Sequence, residues 1–286
     1  MLRSLSLTQR IGHSRQFSNL HQRNAVSEVF NPQEFHNFTV AKREQLSHDV
    51  VKVTLVPPSA EFAQYLKPTS YFYATLPDQS HARPYSPVST MFDKDRIEMV
   101  VRRYPVGKMS GFIFNLRVGD MMMLKGPLPK MLQYKPNMKK KIGLIGGGTG
   151  ITPLLQILKA ALNPPEVKDT TEFVMLYGNK TEDDILCKDI LDQLVKDYCG
   201  RLTAKYVVEK PNNPQTWQAR VGMITKSLIE DYMPKPSPDH LIAICGPPPM
   251  VNAISGLKDP KDFTIQGPLA GYLKELGYTS DMVFKF

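Results

Sequence analysis

Four short segments of this chain combine side chains that could do chemistry, and they occur in a definite order. The first is RPYSPVS, residues 83–89. It places a cation, Arg83, an aromatic, Tyr85, and the hydroxyl of Ser86 among Pro84, Pro87 and Val88, and the prolines stiffen the backbone. A guanidinium matches a phosphate bidentately, a tyrosine ring packs flat against a planar ring, and a serine hydroxyl both donates and accepts. Those are the groups a flavin nucleotide requires. A proline-rich turn between strands has the same composition, so the segment alone leaves both readings open. The second is YPVGKMS, Tyr104 to Ser110, where Gly107 precedes a short helical stretch. Its exposed N–H groups and the Lys108 charge would suit an anion, though glycine before a helix is also an ordinary turn.

The third segment, GGGTGITP, fits GxGxxP at Gly148, Gly150 and Pro153 and departs from GxGxxG at the third position. Glycines let a backbone approach a pyrophosphate closely, and Pro153 falls in the favoured first turn of a helix. Tight packing is the competing explanation. The fourth is CGPPPM, Cys245 to Met250, whose three prolines fix the backbone and leave Cys245 at the edge of a site. A cysteine there is otherwise a small buried hydrophobe.

The elements that must position these segments fall into two textures. Residues 36–128 read mostly as strands: 49–56 alternates Val51, Val53 and Leu55 on one face, and 71–76, 97–104 and 121–125 follow. The helix in this stretch is expected over 110–116. Many short strands with little helix predict an antiparallel barrel. From about residue 139 strands and helices alternate. Strands are expected at 142–145, 172–177, 202–208 and 241–245, and helices at 151–162, 182–195 and 223–232. That alternation predicts βαβ units and a parallel sheet, with the glycine loop at its carboxyl edge, where ligands bind.

Composition bounds the rest. The 286 residues carry 36 Lys plus Arg against 27 Asp plus Glu, a net charge of +9. Cys187, Cys199 and Cys245 form no CxxC pair, which removes most zinc sites and any disulfide framework; a cluster with four cysteine ligands from this chain is excluded too. No metal is expected. No run of 18 apolar residues exists to span a bilayer. Residues 1–27 hold Arg3, Arg10, Arg15, Arg23 and five serines but no acid, the composition of an organelle transit peptide. Arg15-Gln16-Phe17-Ser18 resembles a mitochondrial processing site, and a basic tail without an address is the alternative. Residues 1–30 are therefore set apart, and the charge left to the folded part is about +5. Aromatic platforms interleaved with Lys and Arg are missing, so no nucleic-acid partner is expected.

Taken together, RPYS, YPxGKMS, GGGTGITP and CGPPPM, closed by an aromatic tail, resemble the ferredoxin–NADP⁺ reductase-like flavoprotein superfamily and, within it, the NADH–cytochrome b5 reductases. The resemblance runs over about residues 36–286. It implies an antiparallel β-barrel that binds FAD, residues 36–135, followed by an α/β Rossmann-like parallel sheet that binds NAD(P)H, residues 139–286. It implies that Arg83, Pro84, Tyr85, Ser86 and Val88 form the flavin motif, with Ser86 near flavin N5. Arg102 stands where the family often has lysine and Tyr104 matches its following tyrosine, both at cofactor-binding positions, and Gly107, Lys108, Met109 and Ser110 match the FAD pyrophosphate loop. Gly147, Gly148, Thr149, Gly150 and Pro153 match the NADH pyrophosphate loop, with Thr152 beside the flavin. Cys245, Gly246, Pro247 and Met250 match the motif that sets the nicotinamide, and Phe286 a terminal aromatic near the flavin.

The chemistry implied is hydride transfer from NADH to FAD and then single electrons to an acceptor, with Ser86 and Cys245 as the catalytic positions. Cytochrome b5 is the acceptor the resemblance implies. A quinone, an oxygenase partner or a respiratory assembly would serve the same module, and a structural subunit that kept the fold is a further alternative. Asp184 matches an acid that favours NADH, whereas Lys180 nearby could accommodate NADPH. Lys135 and Lys139-Lys140-Lys141 could steer an acidic acceptor, or form a solvated linker. A monomer inside mitochondria is expected.

Overall fold

The computed structural model describes residues 30–162 and 168–286. The expected presequence, its Arg15-Gln16-Phe17-Ser18 stretch included, lies outside them, apart from Phe30.

The first lobe is built from β1 (Phe35–Gln45), β2 (Val50–Val56), β3 (Ser70–Thr75), β4 (Ala82–Tyr85), β5 (Ile97–Arg102), helix α1 (Lys108–Asn115) and β6 (Met121–Pro129). The strands form one antiparallel sheet in the order β4-β3-β6-β1-β2-β5. The sheet curls upon itself. The chain leaving β4 meets the opposite edge, where the Val88 N–H donates to the Glu98 carbonyl at 2.8 Å and the Glu98 N–H to Ser89 Oγ at 2.9 Å. The period-2 pattern explains the core: Val51, Val53 and Leu55 of β2 are fully buried. Phe38, Phe62 and Phe72 close it with ring centroids 5.9 to 6.2 Å apart, two pairs edge-on and one stacked, arrangements the ring quadrupole favours. The RPYS segment begins as an edge strand rather than a turn, and Pro84 is tolerated there because an edge position need not donate inward.

The second lobe runs β7 (Lys141–Gly147), α2 (Ile151–Leu162), β8 (Glu172–Asn179), α3 (Lys188–Asp197), β9 (Leu202–Val208), β10 (Arg220–Val221), α4 (Lys226–Tyr232), β11 (His240–Cys245), α5 (Pro248–Ser255), α6 (Gly271–Glu275) and β12 (Val283–Lys285). All six strands are parallel, in the order β10-β9-β8-β7-β11-β12. The chain grows outward from β7 to β10 and then returns to place β11 on the other side of β7. That reversal makes a topological switch point, and its crevice lies beyond the carboxyl ends of β7 and β11. Gly147 and Cys245 stand at those two ends.

The helix expected over 182–195 is broken in two. Residues Glu182–Asp184 form a single 3-10 turn under a Thr181/Asp184 capping box, and α3 starts only after Cys187, whose φ of +55° lies in the left-handed region. Every residue of α2 except Lys159 is buried, although its sequence marks only one apolar side. The sheet covers one face and the first lobe the other. Gln156 of α2 donates to the Ser70 carbonyl at 3.0 Å and accepts from the Ser70 N–H at 3.3 Å. Lys159 donates to the Val88 carbonyl at 2.6 Å.

Candidate functional site

A cavity of about 290 Å³ opens on the first lobe, walled by His81, Arg83, Tyr85, Tyr104 and residues 106–110. Two sequence segments twenty residues apart thus converge on one hollow. Antiparallel pairing presents β4 at the sheet edge, and Gly107 turns the chain into α1. Arg83 and Lys108 are exposed, and neither pairs with a carboxylate among the described residues; the one bond of the Arg83 head is to the Ala82 carbonyl at 2.8 Å. Gly107 caps α1 without a side-chain bond, so the first-turn N–H groups remain for a ligand. A Cβ at Gly107 would run into Ser110 Oγ. That hydroxyl itself holds the turn: it donates to the Gly107 carbonyl at 3.0 Å and accepts from the Tyr104 N–H at 3.1 Å. Tyr85 is half-buried, and burial lifts its phenol to about 12, with Tyr104 nearby adding to the rise. The Ser86 hydroxyl has no partner among the described residues. Two unpaired cations, free main-chain donors and an aromatic flank fit the pyrophosphate and ring of a flavin dinucleotide, and the Ser86 hydroxyl follows Tyr85 directly in the chain.

At the switch point, the loop from Gly147 to Gly150 is pressed against the start of α5. A Cβ at Gly150 would collide with the Cys245 carbonyl, and one at Gly147 would stand 2.6 Å from Met250 Sδ. Gly148 has φ +51° and open space where a Cβ would be. This is a cradle in which the glycines are required by close approach on one side and leave room for a ligand on the other. Tyr177, at the end of β8, donates to the Gly148 carbonyl at 2.8 Å and fixes the loop from below. Thr152 and Pro153 are buried in the first turn of α2. Cys245 is half-buried, and desolvation raises its thiol to about 11 against the opposing pull of Lys130 and Lys258. It is a neutral thiol that packs. Phe286 follows β12 and donates its N–H to the Ile244 carbonyl at 2.9 Å, which sets it beside Cys245. Its ring lies 5.3 Å from Lys130 Nζ, and the same ammonium is 5.1 Å from the Tyr71 ring.

Two expected cofactor residues join the lobes. Arg102 Nη2 donates to Asp184 Oδ1 at 2.7 Å, and Asp184 Oδ2 accepts from both the N–H and the hydroxyl of Thr181. Val88 lies fully in the core, with its N–H and carbonyl both bonded. The lysine cluster is engaged locally: Lys139 donates to the Pro238 carbonyl, Lys140 pairs with Asp239 and Lys141 with Glu172. No group of three or more His, Cys, Asp or Glu among the described residues could hold a metal, and no helix among them is long and apolar enough to cross a membrane.

With this geometry in place, comparison with known proteins is decisive. Residues 37–133 match the oxidoreductase FAD-binding domain model and residues 144–256 the oxidoreductase NAD-binding domain model. NADH-cytochrome b5 reductase 2-A of Vanderwaltozyma polyspora is 40% identical over 268 residues, 92% of this chain and 88% of that protein. The chain belongs to the NADH-cytochrome b5 reductase family. An NADH-cytochrome b5 reductase-like protein of Arabidopsis thaliana is 39% identical over 90% of this chain and 78% of its own length. Among solved structures, the cytochrome b5 reductase domain of Ulva prolifera nitrate reductase superimposes with a TM-score of 0.76 at 26% identity, covering 90% of this chain and 99% of that one. The chain is thus an oxidoreductase of FAD and NADH, and its two sheets are the two nucleotide-binding lobes.

Several residues at this seam escape sequence reading. Tyr177, Gln156, Lys159 and Lys130 act through partners distant in sequence. Glu209 is different, since an acid directly after a parallel strand is a legible signal. It stands exposed just past the end of β9, and its carboxylate makes no ion pair among the described residues.

Proposed function

We propose that this chain passes a hydride from NADH to FAD and then single electrons, one at a time, to a cytochrome b5-type acceptor. The observation that carries the reading is the pair of sites: a cavity lined by Arg83, Tyr85 and Lys108 on the first lobe and a glycine cradle on the second, with Lys130 of the first lobe against Phe286 of the second at a seam beside Cys245. The acceptor rests on the relatives' names. When bound, FAD supplies the conversion between a two-electron donor and a one-electron acceptor.

The chain's own residues bind, orient and exclude. Arg83 and Lys108 answer the charge of the FAD pyrophosphate, and Tyr85 flanks the ring. The Ser86 hydroxyl, unpartnered among the described residues, would supply a hydrogen-bonding group to the flavin. The cradle of Gly147, Gly148, Thr149 and Gly150 receives the coenzyme pyrophosphate, while Gly246, Pro247 and Met250 form the stiff wall behind it. Cys245, held neutral, shapes the nicotinamide side without exchanging a proton. Hydride transfer needs no general base, so what the protein contributes is proximity and orientation of two rings.

Purified protein is expected to be yellow, to bleach on adding NADH and then to reduce cytochrome b5 haem. A colourless chain that cannot be reconstituted with FAD would overturn the proposal; bleaching without haem reduction would overturn the acceptor alone. The acid-free, arginine- and serine-rich residues 1–27 support a mitochondrial destination. A fluorescent protein fused behind residues 1–30 is expected in mitochondria, and a diffuse cytosolic signal would refute it.

A further inference from the structure

Lys285 is 2% exposed, yet no carboxylate lies within reach of it among the described residues. Its ammonium sits among four main-chain carbonyls: Pro268 at 3.2 Å, Leu257 at 3.3 Å, Gly267 at 3.4 Å and Ser255 at 3.5 Å. An ammonium has three N–H donors and no acceptor, so four carbonyls share them. A buried charge is tolerated only where such dipoles replace water. Three of the carbonyls, those of Leu257, Gly267 and Pro268, belong to the two ends of one loop, residues 256–268, and the fourth, Ser255, is the last residue of α5 just before it. The loop's neck is pinched by two glycines in the left-handed region, Gly256 at φ +74° and Gly267 at φ +65°. A Cβ on Gly256 would stand 2.9 Å from the Pro268 carbonyl oxygen, and one on Gly267 2.5 Å from that of Leu257. A second clamp acts on the same residue's backbone. Gln266 accepts from the Lys285 N–H at 2.7 Å and donates to the Lys285 carbonyl at 3.0 Å.

Strand geometry carries this pin to the seam. Successive side chains of a strand point to opposite faces. Lys285 therefore faces the loop neck while Phe284 and Phe286 share the other face, their ring centroids 5.0 Å apart, with Phe286 against Lys130. The loop also holds Lys258, whose charge acts on Cys245.

We infer that Lys285 is a positioning residue: its ammonium, caged by the carbonyls of Ser255, Leu257, Gly267 and Pro268, pins the neck of the 256–268 loop to β12 and thereby fixes Phe286 and Lys258 beside Cys245. The kinetic part of the inference rests on the seam being the hydride-transfer site; the loop-pinning part does not.

The test uses the FAD-loaded full chain. Lys285→Met keeps the length and removes the donors. It is expected to retain FAD, to be cut by trypsin at Lys258 and Lys261 at least tenfold faster, and to lose about tenfold in kcat with NADH. In Lys285→Ala, propylammonium but not equimolar sodium chloride should restore protection and kcat, because it refills the cage. Wild-type protection in Lys285→Met, or a defect that propylammonium leaves untouched, would overturn the inference. Should Lys285→Met fail to load FAD, Gln266→Ala decides: faster loop cleavage in an FAD-loaded variant supports the pin, and unchanged cleavage overturns it. Loop cleavage is read without turnover, so a chain that loads FAD but does not oxidise NADH would sink the proposed activity and leave the pin standing.

Discussion

Arg102 and Asp184 join the two lobes through a 2.7 Å ion pair in which neither side chain is more than 18% exposed. Arg102 Nε also lies 3.4 Å from Asp49 Oδ2, so one guanidinium serves a carboxylate from each lobe. Removing the cation would leave two acids close together and poorly hydrated, and removing one partner of a largely buried pair is costly. Arg102→Met and Asp184→Asn are each expected to cost about 2 kcal/mol in urea unfolding, with a coupling of at least about 1 kcal/mol in the double-mutant cycle. Additive effects would show that the pair contributes nothing beyond its separate packing.

The same engagement bears on coenzyme choice. Repelling a 2′-phosphate requires a carboxylate free to face it, and both Asp184 oxygens are already bonded. Glu209, exposed past the end of β9, makes no ion pair among the described residues and is free to face that phosphate. The ratio of kcat/KM for NADH over NADPH should change less than about threefold in Asp184→Asn and fall at least about tenfold in Glu209→Gln, a loss of about 1.4 kcal/mol in discrimination. The opposite ranking would return the role to Asp184.

Gly150 shows how tightly the coenzyme loop is built. Its Cβ would collide with the carbonyl of Cys245 and stand 2.8 Å from the Gly246 N–H nitrogen, both rigid backbone. Gly150→Ala must push the cradle away from the CGPPPM turn. We expect a loss of about 2 kcal/mol in stability and a KM for NADH raised at least tenfold, with FAD content unchanged. Gly111→Ala is the control: it lies inside α1 with nothing within 4 Å of the new methyl, and should add about 0.5–1 kcal/mol by lowering unfolded-chain entropy. Equal effects at both sites would contradict the reading of Gly150 as a contact glycine.

How far the sequence could be read divides along range. The helix at 151–162 and the strand at 202–208 appear with the boundaries their periodicity predicts, because local pattern and burial agree there. The RPYS and GKMS segments come together at one cavity, as four ordered motifs imply. The break at Cys187 was illegible, since a left-handed residue that is neither glycine nor asparagine leaves no local mark. Sequence alone points to Asp184 as a coenzyme selector because its neighbours are visible there while its partner, Arg102, lies 82 residues away. Gln156 and Lys285 are likewise polar residues within apolar surroundings, and what they bond to becomes apparent only when the lobes and the last strand are in place.

Lys130 provides the pH test. Its ammonium stands between the Tyr71 and Phe286 rings with no carboxylate partner among the described residues. Burial pulls its pKa down to about 8, Cys245 opposing the shift and Lys258 adding to it. A lysine depressed in this way binds fewer protons when folded than when unfolded over the window from about 8 to its ordinary value of 10.5, so stability rises with pH across that window. Lys130→Met should therefore be the more stable protein at pH 7, by about 2 kcal/mol once the shift is discounted for partial exposure, and the advantage should fade towards pH 10. Activity should move the other way. The cation faces the seam where an anionic coenzyme must enter, so the wild-type KM for NADH should rise as pH climbs from 7 to 9 and Lys130 loses its charge. In Lys130→Met the KM should start high and stay flat over the same range. A wild-type KM that does not change through pH 8 would mean that the Lys130 charge plays no part in receiving the coenzyme.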